Sequence, residues 1–383
     1  MVTAVRRGQA MRAVARRFGV AHSTVLFWVH RAHGRRLDRV DWGDRPDGPR
    51  APPNRTPRRV ERAILRVRRE LRVSSALGEY GRDAIRRELA IEGVTPPSVR
   101  TIDRILERNG AFDGRRRQRW PAPPRGWYLP GLASGRVELD SFDLIIELKI
   151  QDGPLIDVLT GISHHGGLPM ALPAKRTPAT FVEQALIDHW RDAGLPHYSQ
   201  FDNDTRFQGA HYFPEVLGRV VRRCLGLGVT PVFAPPRETG FQAAIESFNG
   251  RWERAVWYRF HHTELAGLRR RSDQFLRALH QRHALRIDAA PARRPFPAGT
   301  LTSLNDSLRG NVIFLRRTDS AGRAQILGKA FPVRRSWSHR LVRAELDFDH
   351  DRVRFFALRR REPEHQPMLR ETKYAFPRKP FNS

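Results

Sequence analysis

Three acidic residues carry the clearest chemical signal in the chain: Asp140 in VELDSFD, Asp202 in FDND and Glu246 in GFQAAIESFNG. Phosphodiester chemistry of the two-metal kind holds divalent ions about 3.5–4 Å apart against the scissile phosphate. Converging carboxylates would supply the negative charge that collects them. Asp140 falls mid-strand on a face expected to be buried, where an unpaired carboxylate is costly without a cation or hydrogen-bond donors. Asp202 falls where a strand ends and turn residues begin. Glu246 lies at the edge of a helical stripe of Ile245, Phe248, Trp252 and Val256, within reach of the interior. Singly, each acid would more often be a surface charge; the conjunction points to metal. Asp143, Asp152 and Asp157 are further acids of the strand region, and Asp157 reads as a turn or strand-end residue.

The bulk charge agrees with a polyanionic partner. Lys+Arg number 69 against 40 Asp+Glu, a formal net charge of +29 and a pI near 11.5. Such a field favours nucleic acid. Lysine occurs only at positions 149, 175, 329, 373 and 379, so the charge is almost all arginine. A GC-rich coding sequence would explain the arginine bias equally well. The 383 residues, 40% hydrophobic, are enough for two to four domains with cores of their own. One cysteine, Cys224, excludes a disulfide framework and a cysteine zinc site and reads as a buried thiol. No apolar run approaches a membrane span and the N-terminus lacks a signal-peptide core, so a soluble cytoplasmic protein is expected.

The elements that must position the acids follow from punctuation and period. Residues 1–35 place Val14, Ala15, Phe18, Val25, Trp28 and Val29 at helical spacing across Gly19, which predicts a helix-turn-helix DNA-binding domain. Its second helix is expected to start at Ser23 or Thr24 and to face DNA with Arg31. Residues 36–55 read as a linker. A second helix-turn-helix domain is expected over 56–113, with Thr56-Pro57 as cap, an inner face of Val60, Ile64, Leu65, Val67 and Leu71, and Arg100 on its last helix. Residues 114–132, with the run Arg115 to Arg117, read as another linker. Over 133–290 the order of strands and helices predicts an α/β core with a mixed five-stranded sheet. Residues 305–361 predict a small all-β barrel and 362–383 a tail.

The segments Val137 to Asp140, Ile156 to Ser163, Phe201 to Asp204 and Pro235 to Asn249 stand in the order found in the retroviral-type integrase core. With its helix-turn-helix units, the chain resembles an insertion-sequence DDE transposase over nearly its full length. That resemblance implies a ribonuclease-H-like fold, with Asp140, Asp202 and Glu246 as catalytic metal ligands. It implies two Mg²⁺ ions, replaceable by Mn²⁺, and water then a 3′-hydroxyl as nucleophiles. Partners would be the DNA of element ends and target, with a homo-oligomer on DNA, nucleoid-associated when bound and no membrane. Asn249, Arg251 and Arg254 would join Ser23, Thr24, Arg31 and Arg100 in contacting DNA. Alternatives are a catalytically inactive integrase-fold DNA-binding protein or a metal-dependent nuclease without joining activity.

Some positions depart from that pattern. Asp202 and Glu246 enclose 43 residues, more than the family's usual spacing, which Glu238 would fit; Glu246 is preferred because it precedes Ser247-Phe248-Asn249 and follows Pro236. Asp204 stands where glycine is common and reads as a turn residue. Glu253 stands where a basic residue is common. The pairs His164-His165 and His261-His262 lack partner cysteines at finger spacing and are not read as zinc sites.

Overall fold

A computed structural model describes residues 1–43, 56–112, 126–209, 214–299, 301–377 and 381. The basic run Arg115 to Arg117 and most of the first linker lie outside the described residues. The chain divides into two compact units, Met1–Arg58 and Arg59–Ser383.

The first unit contains α1 (Val2–Arg6), α2 (Met11–Phe18) and α3 (His22–Ala32). Gly19, left-handed at φ 63°, ends α2 and turns the chain into α3. Val14, Ala15 and Val25 meet at that elbow, and Val2, Ala32 and Val40 form a second contact. Phe18, expected inside, is 47% exposed. The expected cap also shifts, since α3 starts at His22 with Ala21 before it and no side-chain cap. Ser23 is therefore an exposed first-turn residue and Thr24 a half-buried one.

The second unit opens with α4 (Arg58–Ser74), α5 (Arg82–Ile91) and α6 (Val99–Arg108). Ile64, Val67, Ile85, Leu89, Ile102, Ile105 and Leu106 close their common core. Ser98 caps α6, its Oγ accepting from the Thr101 backbone N–H at 3.2 Å. This helical region is not free-standing. Arg259 donates to the Ser75 and Val73 carbonyls, and Arg282 pairs with Glu79 at 2.6 Å. The expected linker over 114–132 also ends in core: Trp127, Tyr128 and Leu129 and then α7 (Pro130–Ala133) bury against the main sheet.

The sheet is built from β1 (Leu139–Lys149), β2 (Leu155–Ser163) and β3 (Pro169–Ala174), then α8 (Ala179–Ala193) and β4 (Tyr198–Phe201). After α9 (Thr205–Gln208) and α10 (Arg219–Gly226) come β5 (Thr230–Phe233), α11 (Ala243–Trp252) and α12 (Leu265–Asp288). A π-type turn over Glu253–Trp257 follows directly on α11. The first five strands lie in the order β3-β2-β1-β4-β5, with β2 antiparallel to β1 and β3 and with β1, β4 and β5 parallel. That is the ribonuclease-H-like arrangement. Helices α8 and α10 cover one face through Val182, Leu186, Trp190, Val221 and Leu225. On the other face, α11 and α12 pack Ile245, Phe248, Trp252, Phe275 and Leu279 against β2 and β3.

The separate C-terminal barrel does not form. Strand β6 (Asn311–Arg317) pairs parallel with β5, placing Val232 beside Ile313 and Phe233 beside Phe314. The strands β9 (Leu341–Asp347), β10 (Arg352–Ala357) and β11 (Met368–Lys373) then carry the sheet to nine, while β7 (Arg323–Ile326) and β8 (Lys329–Pro332) make a small hairpin. Strand β11 falls in the segment expected to be a tail. One apolar cluster runs without a break from Phe142 through Phe233 and Phe314 to Phe355. Burial of the β5 edge is the physical reason: a parallel strand with both faces apolar needs neighbours on both sides.

Candidate active site

Pairing between β1 and β4 sets Asp140 beside Ser199 and Ser141 beside Gln200. One step on, Phe142, Phe201, Phe233 and Phe314 form a row across four strands, with ring centroids 5.9, 6.0 and 5.2 Å apart. Their side chains fill the face covered by α8 and α10. The next position along β1 must therefore leave by the opposite face, because strand side chains alternate, and the residue that follows β4 is the one nearest to it in the extended register. Those residues are Asp143 and Asp202.

Helix α11 closes that face. Asn249 Nδ2 donates to Asp143 Oδ2 at 2.8 Å. Glu246, three residues earlier on the same helical face and exposed, adds its negative field at Asp143. Burial, reinforced by the charges of Asp202 and Glu246, pushes the Asp143 carboxyl up to about 6. The Leu144 N–H and the Asn249 amide act in the opposite direction. Asp202 Oδ1 accepts from the Asp204 N–H at 3.0 Å. Asn249 Oδ1 is buried without a hydrogen-bond partner. Glu238, the competitor at the usual spacing, is engaged by Arg317 instead. Among the described residues no three His, Cys, Asp or Glu side chains close into a ready metal cage.

Asp140, the acid expected from the sequence, lies apart from this group. It is 1% exposed on the α8 side of β1. Arg293 Nη2 and Nη1 donate to its two oxygens at 2.5 and 3.0 Å, and Trp190 Nε1 donates at 3.1 Å. His189 Nε2 lies 3.8 Å away. The cost of burying Asp140 is thus met by an arginine and an indole rather than by a cation site. The expectation of a buried, compensated carboxylate was sound; the compensating group was 153 residues downstream. The signal for Asp143 was strand parity: it lies three positions from Asp140, hence on the opposite face, and follows the apolar Phe142.

The expected DNA-contacting residues divide. Arg100 is exposed on the first turn of α6, and Arg254 is exposed beyond α11. Arg251 is half-buried; burial lowers its pKa, and Arg282 and Arg254 add to the effect against Glu79. Arg31 is not presented outward. Its guanidinium donates to the Gly43 carbonyl at 2.7 Å and to Asp41 at 3.3 Å and sits 5.1 Å from the Trp28 ring. Asn249 is likewise spent on Asp143. Asp204 caps α9, accepting from the Arg206 N–H at 2.8 Å. Asp157 accepts from Thr177 Oγ1 at 2.9 Å and from the Glu147 N–H at 3.2 Å. His165 and His262 bond the carbonyls of Leu132 and Val256, and His261 bonds Gln151.

No family model matches the sequence, and no curated protein matches it. Among solved structures, a chain of the simian T-cell lymphotropic virus intasome in complex with PP2A regulatory subunit B56 gamma is 14% identical. That match covers 69% of this chain and 84% of the other, at a TM-score of 0.35. The HTLV-2 integrase catalytic core domain in complex with magnesium is 11% identical over 43% of this chain and 89% of its own, at 0.27. The BIV integrase catalytic core domain is 15% identical over 38% and 97%, at 0.28. Likenesses this distant transfer no residue's role. No helix among the described residues is long and apolar enough to cross a membrane.

Proposed function

We propose that this chain is a DNA-processing polynucleotidyl transferase of the DDE type, acting in transposition of an insertion element, with Asp143, Asp202 and Glu246 as its carboxylates. The observation that carries this reading is the gathering of three carboxylates: half-buried Asp143 within β1 and bonded by Asn249, Asp202 just past the adjacent parallel strand β4, and Glu246 on α11, with the last two adding their negative field at Asp143. Mutual repulsion of this kind is relieved by a divalent cation, and an all-oxygen set suits Mg²⁺. When bound, two such ions would polarise the phosphate and activate water or a 3′-hydroxyl. The chain's own part is to hold the ligands. The β1–β4 pairing, which runs to Ser141 beside Gln200, would carry Asp143 and Asp202 toward one face, Asn249 holds the Asp143 carboxylate, and α11 carries Glu246. Exposed Arg100 and Arg254 offer cations to the phosphate backbone.

The test is incubation of the full chain with duplex DNA carrying the flanks of its own gene, in Mg²⁺ or Mn²⁺. Wild type should nick the 3′ ends and join them to target, and Asp202→Asn should do neither. Binding with no products from wild type would overturn the reading in favour of an inactive DNA-binding protein. Hydrolysis without joined products would leave a nuclease.

A further inference from the structure

Strand β6 sends a cation back toward the acids from outside the five-stranded core. Arg316 is 8% exposed. Its Nη2 donates to Asn203 Oδ1 at 2.8 Å, its Nη1 to the carbonyls of Leu315 and Ala234 at 2.9 and 3.2 Å, and its Nε to the Gln325 carbonyl at 3.2 Å. Asn203 Nδ2 returns to the same Ala234 carbonyl at 2.8 Å. The result is a closed ring of bonds at the ends of β4, β5 and β6, and Asn203 is the residue immediately after Asp202. These four acceptors are neutral, and burial pulls the guanidinium down to about 10. A buried arginine held by carbonyls and an amide is costly for the fold, since an apolar side chain of similar size avoids the desolvation.

We infer that Arg316 is a positioning residue for the acidic site. It fastens the Asp202-Asn203 turn to the C-terminal strands and so holds Asp202 opposite Asp143. The inference rests on the proposed metal-dependent function and deepens it, because it makes the sheet extension part of the site. The guanidinium fork is what the geometry requires: one nitrogen faces Asn203 and another faces Ala234, a division a lysine ammonium cannot reproduce.

The experiment is Mn²⁺ binding to the full chain, followed by electron paramagnetic resonance, with thermal melts of the same samples. Asp202→Asn is the reference that identifies binding through the acids. Arg316→Lys should weaken that binding roughly tenfold or more, the usual effect of losing a group that orients a ligand. Arg343→Lys is the control: Arg343 is also buried in the extension but bonds the Tyr128 carbonyl and Glu345, away from the acid turn. It should lower the melting temperature and leave Mn²⁺ affinity unchanged. If Arg316→Lys does not fold, Asn203→Ala tests the same bond from the other side and should weaken Mn²⁺ binding likewise. Wild-type affinity in a folded Arg316→Lys or Asn203→Ala would overturn the inference while leaving the proposed function standing. Equal binding by wild type and Asp202→Asn would remove the proposed function, and the inference with it.

Discussion

At the scale of single residues, the two aspartates of β1 occupy opposite faces and are compensated by opposite means. Asp140 is satisfied by Arg293 and Trp190, whereas Asp143 faces two like charges and one amide. Their asparagine variants should therefore fail differently. Asp140→Asn leaves Arg293 buried without its counter-charge, a change that costs about 3–5 kcal/mol. Asp143→Asn removes a repulsive charge, so the metal-free protein should keep or raise its melting temperature while losing cleavage. Loss of a metal ligand worth several kcal/mol corresponds to roughly 10³-fold or more in rate. Melting curves and cleavage assays on the two variants decide the matter. Unchanged stability with lost cleavage in Asp140→Asn, or retained cleavage in Asp143→Asn, would hand the role back to Asp140. The acid read from the sequence lies within three residues of the one proposed here because acid, strand and context were all local. Choosing between the two needed the register against β4, and no local pattern encodes a register between strands some sixty residues apart in the chain.

At the scale of elements, the same gap between local and non-local information explains the C-terminal error. β-type residues in 312–315, 341–346 and 353–358 match strands of the sheet, but a strand's pattern does not name its partner. The chain joins the two groups of strands through β5 and β6, and Phe314 stacks on Phe233 at 5.2 Å. An independent barrel would let residues 1–304 fold alone. The observed sheet leads to the contrary expectation: a chain ending at residue 304 uncovers the β5 edge and lacks Phe314, Phe331, Trp337, Phe355 and the other C-terminal members of the main apolar cluster. It should show no cooperative thermal transition. Phe314→Ala in the full chain should cost about 3–5 kcal/mol, the usual range for emptying a buried phenylalanine site. It should lower a single melt shared by the core and the extension, read by circular dichroism. Separate melts for the two regions would restore the two-domain picture. By contrast, Ile64 and Val67 of the helical region over 56–112 were legible as inner-face residues from helical period, whereas their contacts with Ile85, Leu89 and Ile102 depend on how the helices pack.

At the scale of the whole molecule, charge is the property that both sequence and structure express. Of the expected contacts, Arg31 is consumed in holding α3 to the Asp41–Gly43 segment, whereas Arg100 projects from the first turn of α6 with solvent around it. Composition counts both arginines alike; only their neighbours separate a structural cation from an available one. The acid range adds a stability signature. Burial lowers the pKa of His189, His197 and His283, so each folded imidazole resists protonation. Their contribution is complete above the unfolded value near 6.5 and is lost as pH falls through the lower folded values. The melting temperature should drop below about pH 6.5, and less so in His189→Gln. For DNA, a phosphate contact releases counterions, and affinity falls with salt at a slope of about 0.9 per phosphate neutralised. Arg100→Ala should weaken binding across all sequences and reduce that slope by about one. Arg31→Ala should instead lower the stability of the first unit, because it takes away the bonds to Asp41 and Gly43 and the contact with Trp28. Its salt slope, once measured well below the melting point, should match that of wild type. Titration of a fluorescent duplex between 50 and 200 mM salt, run beside thermal melts, separates the two. A reduced slope for Arg31→Ala with an unchanged melt would mean that this guanidinium leaves Asp41 to bind phosphate.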